Sequence, residues 1–140
     1  MKTTLKRLLI VDDSAEDREY ARHLLKQNKN STWDFCEASS GKEGLELAAS
    51  NGPFDCILLD YHLPDLTGIE FLSMLPERLG HPGTATVLLT GSGDHEVAVR
   101  AMKGGANDFI PKEGLSAESL FHAVENAIEH FQIQLLIVLQ

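Results

Sequence analysis

Five short apolar runs punctuate this chain, and each gives way to a stretch in which apolar residues recur three or four places apart. The first run, residues 5–11, contains Leu8-Leu9-Ile10-Val11. The third, residues 54–59, reads Phe-Asp-Cys-Ile-Leu-Leu, and the fourth, residues 84–89, reads Thr-Ala-Thr-Val-Leu-Leu. Nearly continuous runs of this length predict strands buried on both faces. The second, residues 32–37 (Thr-Trp-Asp-Phe-Cys-Glu), alternates polar and apolar and predicts a half-buried strand. A short fifth strand is expected at 107–110. Helical stripes fill the intervals: Tyr20, Ala21, Leu24 and Leu25 within 15–27, and Leu45, Leu47 and Ala48 within 42–49. Further helices are expected at 68–75, 96–103, and from Ser116 past His130. The breaks agree. Asn28-Lys29-Asn30-Ser31, Asn51-Gly52-Pro53 and Gly80-His81-Pro82-Gly83 are loops, Pro76 closes the third helix, Asp94 caps the fourth and Gly104-Gly105 ends it.

Regular alternation of strand and helix with short loops implies an α/β fold, a parallel sheet with helices on both faces. Five units in this sequence suggest the flavodoxin-like strand order 2-1-3-4-5. In such a sheet, ligands bind beyond the carboxyl ends of the strands at the point where the order reverses, here between strands one and three. Those two strands end on Asp12-Asp13 and on Asp60.

Composition narrows the class. The length of 140 residues suits one domain, and 43% hydrophobic with 24% charged residues is an ordinary globular mix. A formal charge of -9 argues against direct nucleic-acid binding, because phosphate backbones select basic surfaces. Cys36 and Cys56 sit in apolar surroundings with no paired spacing, so they are expected as packing residues in a reducing, cytoplasmic compartment. The amino-terminal apolar run stops at two aspartates and is no signal peptide. No run reaches the roughly 18 apolar residues of a membrane span. The histidines (His23, His81, His95, His122, His130) show no close ligand spacing and are expected at the surface.

Three carboxylates converging from two neighbouring strand ends would repel one another, and a hard divalent cation removes that repulsion. Mg²⁺ (or Mn²⁺) takes oxygen ligands of this kind. The fourth strand end adds the hydroxyl of Thr90 and the fifth adds the ammonium of Lys112. A carboxylate nucleophile, a metal and a Lys are the parts needed to form an aspartyl phosphate.

The sequence resembles the receiver (response-regulator) domains of two-component signalling. The resemblance is carried by Ile10-Val11-Asp12-Asp13-Ser14, by Leu58-Leu59-Asp60-Tyr61-His62-Leu63-Pro64-Asp65-Leu66-Thr67-Gly68, by Leu88-Leu89-Thr90-Gly91, and by Gly104-Gly105-Ala106-Asn107-Asp108-Phe109-Ile110-Pro111-Lys112. It implies that Asp60 is the phosphoacceptor, supplied by a sensor histidine kinase or phosphotransfer protein. It further implies that Asp12, Asp13, Asp60 and the His62 backbone carbonyl hold Mg²⁺, that Lys112 and Thr90 contact the phosphoryl oxygens, and that Phe109 is the switch aromatic. Output would pass through the surface of helix four, strand five and helix five. Two positions depart from the common family pattern. Glu113 stands after Lys112, where many receivers carry a proline, and Phe109 lacks the hydroxyl of the commoner Tyr. His62, two places after the acceptor, either tunes hydrolysis of the phosphoryl group or is a solvated loop residue.

Residues 1–130 are expected to form the receiver domain and 131–140 an apolar extension of its last helix. Phe121, Val124, Ile128, Phe131, Leu135 and Val138 follow the 3,4 spacing of a coiled-coil seam, which would make a homodimer through that helix; the alternative is a helix end folded on its own domain. Other classes fit less well. A phosphohydrolase of the haloacid dehalogenase kind needs a second Asp two places after the nucleophile, where His62 stands. A flavodoxin needs a hydroxyl- and Gly-rich phosphate loop where Asp12-Asp13 would repel the ligand. A binding-only pseudo-receiver would not need the full set of acids, Thr and Lys. The protein is thus expected to be a signalling phosphoacceptor rather than a turnover enzyme, either alone or within a larger regulator or hybrid kinase.

Overall fold

The computed structural model describes residues 4–81, 83–91 and 95–138. Ten elements alternate along it: β1 (Thr4–Val11), α1 (Ala15–Lys26), β2 (Ser31–Ala38), α2 (Gly41–Asn51), β3 (Cys56–Asp60), α3 (Gly68–Leu79), β4 (Thr86–Thr90), α4 (His95–Lys103), β5 (Asp108–Pro111) and α5 (Ala117–Val138). All strand pairs are parallel, in the expected order β2-β1-β3-β4-β5. Register places Val11 beside Leu59 and Thr90 beside Pro111, so the residues that follow β1 and β5 emerge at the edge where Asp60 and Thr90 end their strands.

Side-chain alternation along the central strands builds two cores. Leu9, Val11, Ile57, Leu59 and Leu88 face one layer with Leu45, Phe71 and Leu75 of α2 and α3. Leu8, Ile10, Cys56, Leu58 and Val87 face the other, with Leu24, Leu25, Leu120 and Val124 of α1 and α5. Every residue of β3 and β4 is buried, which explains why their sequences lack a polar alternation. The edge strand β2 keeps one: Thr32 and Asp34 are exposed, while Trp33 and Phe35 are half-buried.

Several local expectations change. Pro76 does not end α3, which continues to Leu79 and closes on Gly80 in the left-handed region, φ 72°. Pro76 removes one backbone donor from the helix, but Leu72, Leu75 and Leu79 pack against the core on either side of it, and that burial outweighs the lost bond. Strand three begins at Cys56 rather than 54, because the Arg7 N–H donates to the Asp55 carboxylate at 2.7 Å instead of to a backbone carbonyl of the ladder; Phe54 is nonetheless buried, beneath the Arg7 guanidinium at 4.8 Å. Strand four begins at Thr86 rather than 84. Asp94, expected to cap α4, lies outside the described residues.

The seam read along the last helix is mostly an intramolecular face. Val124 is fully buried, and Phe121, Ile128 and Phe131 pack against the α1/α5 core. The helix is anchored at its start by Ser116, whose Oγ accepts from the Ser119 N–H at 3.0 Å. Near its end, Gln134 Oε1 accepts from Asn107 Nδ2 at 2.9 Å. The apolar residues of this helix that stand most exposed are Ile133, Leu136, Ile137 and Val138. Cys56 is buried, Cys36 half-buried, and both are free thiols.

Candidate functional site

Asp12 directly follows the end of β1, and Asp60 is the last residue of β3. Both carboxylates are buried, at 1% and 6% exposure, whereas Asp13 is exposed. One oxygen from each of the three lies within 4.8 Å of the others. Lys112, directly after β5, brings its ammonium to this group: Nζ is 2.7 Å from Asp12 Oδ2 and 3.3 Å from Asp60 Oδ2. Its backbone N–H donates to the Thr90 carbonyl at 2.9 Å, so β4 fixes where the Lys leaves the sheet. Glu113 after the Lys therefore does not displace it from the cluster. Thr90 ends β4 and is buried. Phe109 lies on β5 and is 40% exposed, turned outward rather than packed inside.

Burial and the charge of Asp12 push the Asp60 carboxyl above the ordinary carboxylate range, partly offset by Lys112 and the His62 N–H. Burial alone would lower the Lys112 ammonium, but the carboxylates of Asp12, Asp17 and Asp60 outweigh it and hold the pKa well above an ordinary lysine. Two buried carboxylates facing one another thus share a single organic cation. The donor set is all oxygen and acidic, and two of its members are desolvated, which fits a hard divalent ion such as Mg²⁺ or Mn²⁺.

The loop after Asp60 is fastened at several points. The His62 N–H donates to Asp60 Oδ1 at 3.3 Å, which sets the His62 backbone beside the carboxylate. The His62 side chain is exposed and meets Tyr61 edge-on at 4.7 Å. Thr67 and Glu70 form a reciprocal capping box at the start of α3. Gly68 sits where an added Cβ would lie 2.6 Å from Leu88 Cδ1 and 3.2 Å from the Tyr61 Cα, so a side chain there would have to displace Leu88 and press on the backbone that follows the acid. Asp65 Oδ1 and Oδ2 accept from the Gly41 and Lys42 N–H groups at 2.8 and 2.9 Å and tie the loop to the amino terminus of α2. Desolvation works against the Asp65 charge, but those two bonds prevail and hold its carboxyl below the usual range.

The sequence-predicted acids and Lys112 converge, with Thr90 at the same edge and Phe109 on the neighbouring strand. Three contributors were not predicted. Arg18 Nη1 donates to the Asp12 carbonyl at 2.6 Å while its Nε reaches Glu37 at 2.9 Å, bracing the β1–α1 turn against β2. Asp65 is the second, and Asp17, 2.9 Å from Lys112 Nζ, is the third. A signal for Arg18 was present, the first Arg of a helix that opens on two acids. Asp17 and Lys112 lie 95 residues apart, and no local pattern joins them.

Comparison with known proteins gives a consistent result. Residues 8–125 match the response regulator receiver domain family. The transcriptional regulatory protein SrrA of Staphylococcus aureus is 41% identical over 106 residues, covering 75% of this chain and 41% of that protein. The chain therefore spans less than half the length of that curated relative. A CheY-like receiver domain protein of Methanospirillum hungatei JF-1 superposes with a TM-score of 0.77 at 26% identity, over 94% of this chain and 99% of that one. A Burkholderia pseudomallei response regulator, solved with a phosphorylated aspartic acid, a calcium ion and citrate, superposes with a TM-score of 0.73 at 25% identity, over 92% of this chain and 72% of that one.

Proposed function

The chain belongs to the response regulator receiver domain family, and from that premise we propose that Asp60 is its phosphoacceptor, taking a phosphoryl group from a phosphohistidine of a sensor histidine kinase or a phosphotransfer protein. One observation carries the assignment: Asp60 is the buried carboxylate that ends the central strand, with acids on one side and an ammonium on the other. A carboxylate oxygen of Asp60 attacks phosphorus, the P–N bond breaks, and the imidazole leaves with the bonding pair. Asp12, Asp13, Asp60 and the His62 carbonyl would hold Mg²⁺ (or Mn²⁺), which neutralises charge on the transferring group when bound. Lys112 pairs with a phosphoryl oxygen and Thr90 donates its hydroxyl to another. The added charge and acceptors draw both residues inward. Phe109, now outward, then fills the space Thr90 leaves, and the α4–β5–α5 surface changes shape. A related receiver with a phosphorylated aspartate and a divalent cation supports this reading. The cytoplasm is the compartment this role requires. The chemistry is self-catalysed transfer and slow hydrolysis of the acyl phosphate, and the product is a signal.

Intact mass after incubation with acetyl phosphate and Mg²⁺ tests it. One phosphoryl group is expected, absent in Asp60→Asn and in EDTA; an equal gain by the variant would overturn the assignment.

Pairing of two copies through the end of α5 is supported by the exposed Ile133, Leu136 and Ile137, which share one face beyond the packed part of the helix. Sedimentation should show a dimer that Ile137→Glu dissociates, and a monomer at every concentration would remove this reading.

A further inference from the structure

We propose that Asp17 is a positioning residue of this site, a resting place for Lys112 outside the carboxylate cluster that lets the ammonium give way to a divalent cation. The inference rests on the receiver reading of the cluster. Lys112 Nζ meets three carboxylates at once, Asp12 at 2.7 Å, Asp17 at 2.9 Å and Asp60 at 3.3 Å. A lysine ammonium has three donors, so this arrangement uses all of them. Two of the acids, Asp12 and Asp60, belong to the group that would hold the cation; Asp17 does not. An ammonium against the Asp12 and Asp60 oxygens occupies charge and space that an ion on the same oxygens needs. Lys112 is thus the internal competitor of the cation.

The third partner decides where the lysine goes. Asp17 stands in the first turn of α1, its side chain half exposed, on the solvent side of Lys112. Its backbone is fixed, because the Asp17 N–H donates to Ser14 Oγ at 3.2 Å. Farther along α1, the Tyr20 hydroxyl donates to the Leu115 carbonyl at 3.2 Å. Helix α1 therefore holds the Lys112–Leu115 segment at both ends, and the second hold does not involve the acids. If Lys112 releases Asp12 and Asp60 with no partner left, a half-buried ammonium stands unpaired, at a cost. With Asp17 present it keeps one ion pair while it withdraws. Asp17 lowers the cost of clearing the cluster and so raises apparent cation affinity through Lys112.

Calorimetric Mg²⁺ titration of the chain and five variants tests this without reference to phosphorylation. Asp17→Asn should bind Mg²⁺ about two- to fivefold more weakly, the range an exposed ion pair supports. Asp17→Glu should recover most of the loss. Lys112→Met should bind more tightly than wild type, and adding Asp17→Asn to Lys112→Met should change nothing further. An equal weakening in both backgrounds would mean that Asp17 acts by its own charge or through water and would overturn the inference, as would no weakening at all. Asp13→Asn separates the two layers: Mg²⁺ binding that is absent in wild type, or unaffected by Asp13→Asn, sinks the receiver reading of the cluster and this inference with it. Binding lost in Asp13→Asn alongside an additive cycle sinks the inference alone.

Discussion

The two ends of the sheet are built on opposite principles. At the amino-terminal end, Arg7 and Asn107 are each satisfied by several partners. Arg7 donates to Asp34 and to the carbonyls of Asn51 and Pro53, joining β1, β2 and the segment before β3. Asn107, 5% exposed, accepts from the Thr86 N–H at 3.0 Å and gives its amide to Gln134 and, at 3.3 Å, to the ring of His130. At the carboxyl end, the buried Asp12 and Asp60 and the exposed Asp17 share one lysine, with Asp13 beside them. The first end fastens the domain, and the second holds electrostatic repulsion that binding can relieve. Substitutions should therefore have opposite signs at the two ends, stability lost at one and gained at the other.

The largest effect is expected at the fastened end. Asn107→Ala strands the buried Thr86 N–H and frees Gln134, and should cost about 2 kcal/mol of unfolding free energy in denaturant titration. An unchanged midpoint would erase the contrast between the two ends.

A smaller effect of opposite sign belongs to Asp60→Asn. The Asp60 carboxyl is raised in the fold, first by burial and then by Asp12, so the folded state binds its proton more tightly than the unfolded chain does. Wild-type stability then falls as pH rises from the ordinary aspartate value through the raised one, and the deficit stays constant above it. Asp60→Asn should melt higher than wild type at pH 7 without divalent ions, and the gap should narrow as pH falls into the acid range. Mg²⁺ should close the gap at pH 7 by stabilising the wild type alone. Equal melting temperatures at pH 7 would mean that Lys112 fully compensates the acids.

Much of this arrangement was legible from order and period. Asp12, Asp60, Thr90 and Lys112 each stand at the end of an apolar run, and parallel strands deliver such residues to one edge. What the sequence concealed depends on surfaces that meet only after folding. The 3,4 pattern of α5 is the same whether its partner is α1 or a second copy, and the burial of Val124 assigns most of it to the molecule's own core. Pro76 reads as a stop because local propensity is visible and the burial of Leu72 and Leu75 is not. Asn107 looked like a strand residue, and its tie to Gln134 required α5 to return along the full height of the sheet.

That return has a consequence for how a signal travels. Helix α5 starts five residues after Lys112, at the pole that carries the acids, and reaches Asn107 at the opposite pole. Its 22 residues make a rod about 33 Å long. The rod is joined to the β5 segment at both poles, through the loop after Lys112 and through Asn107, so on the proposed receiver reading a displacement of that loop would carry Val138, at the far end of the rod, along with it.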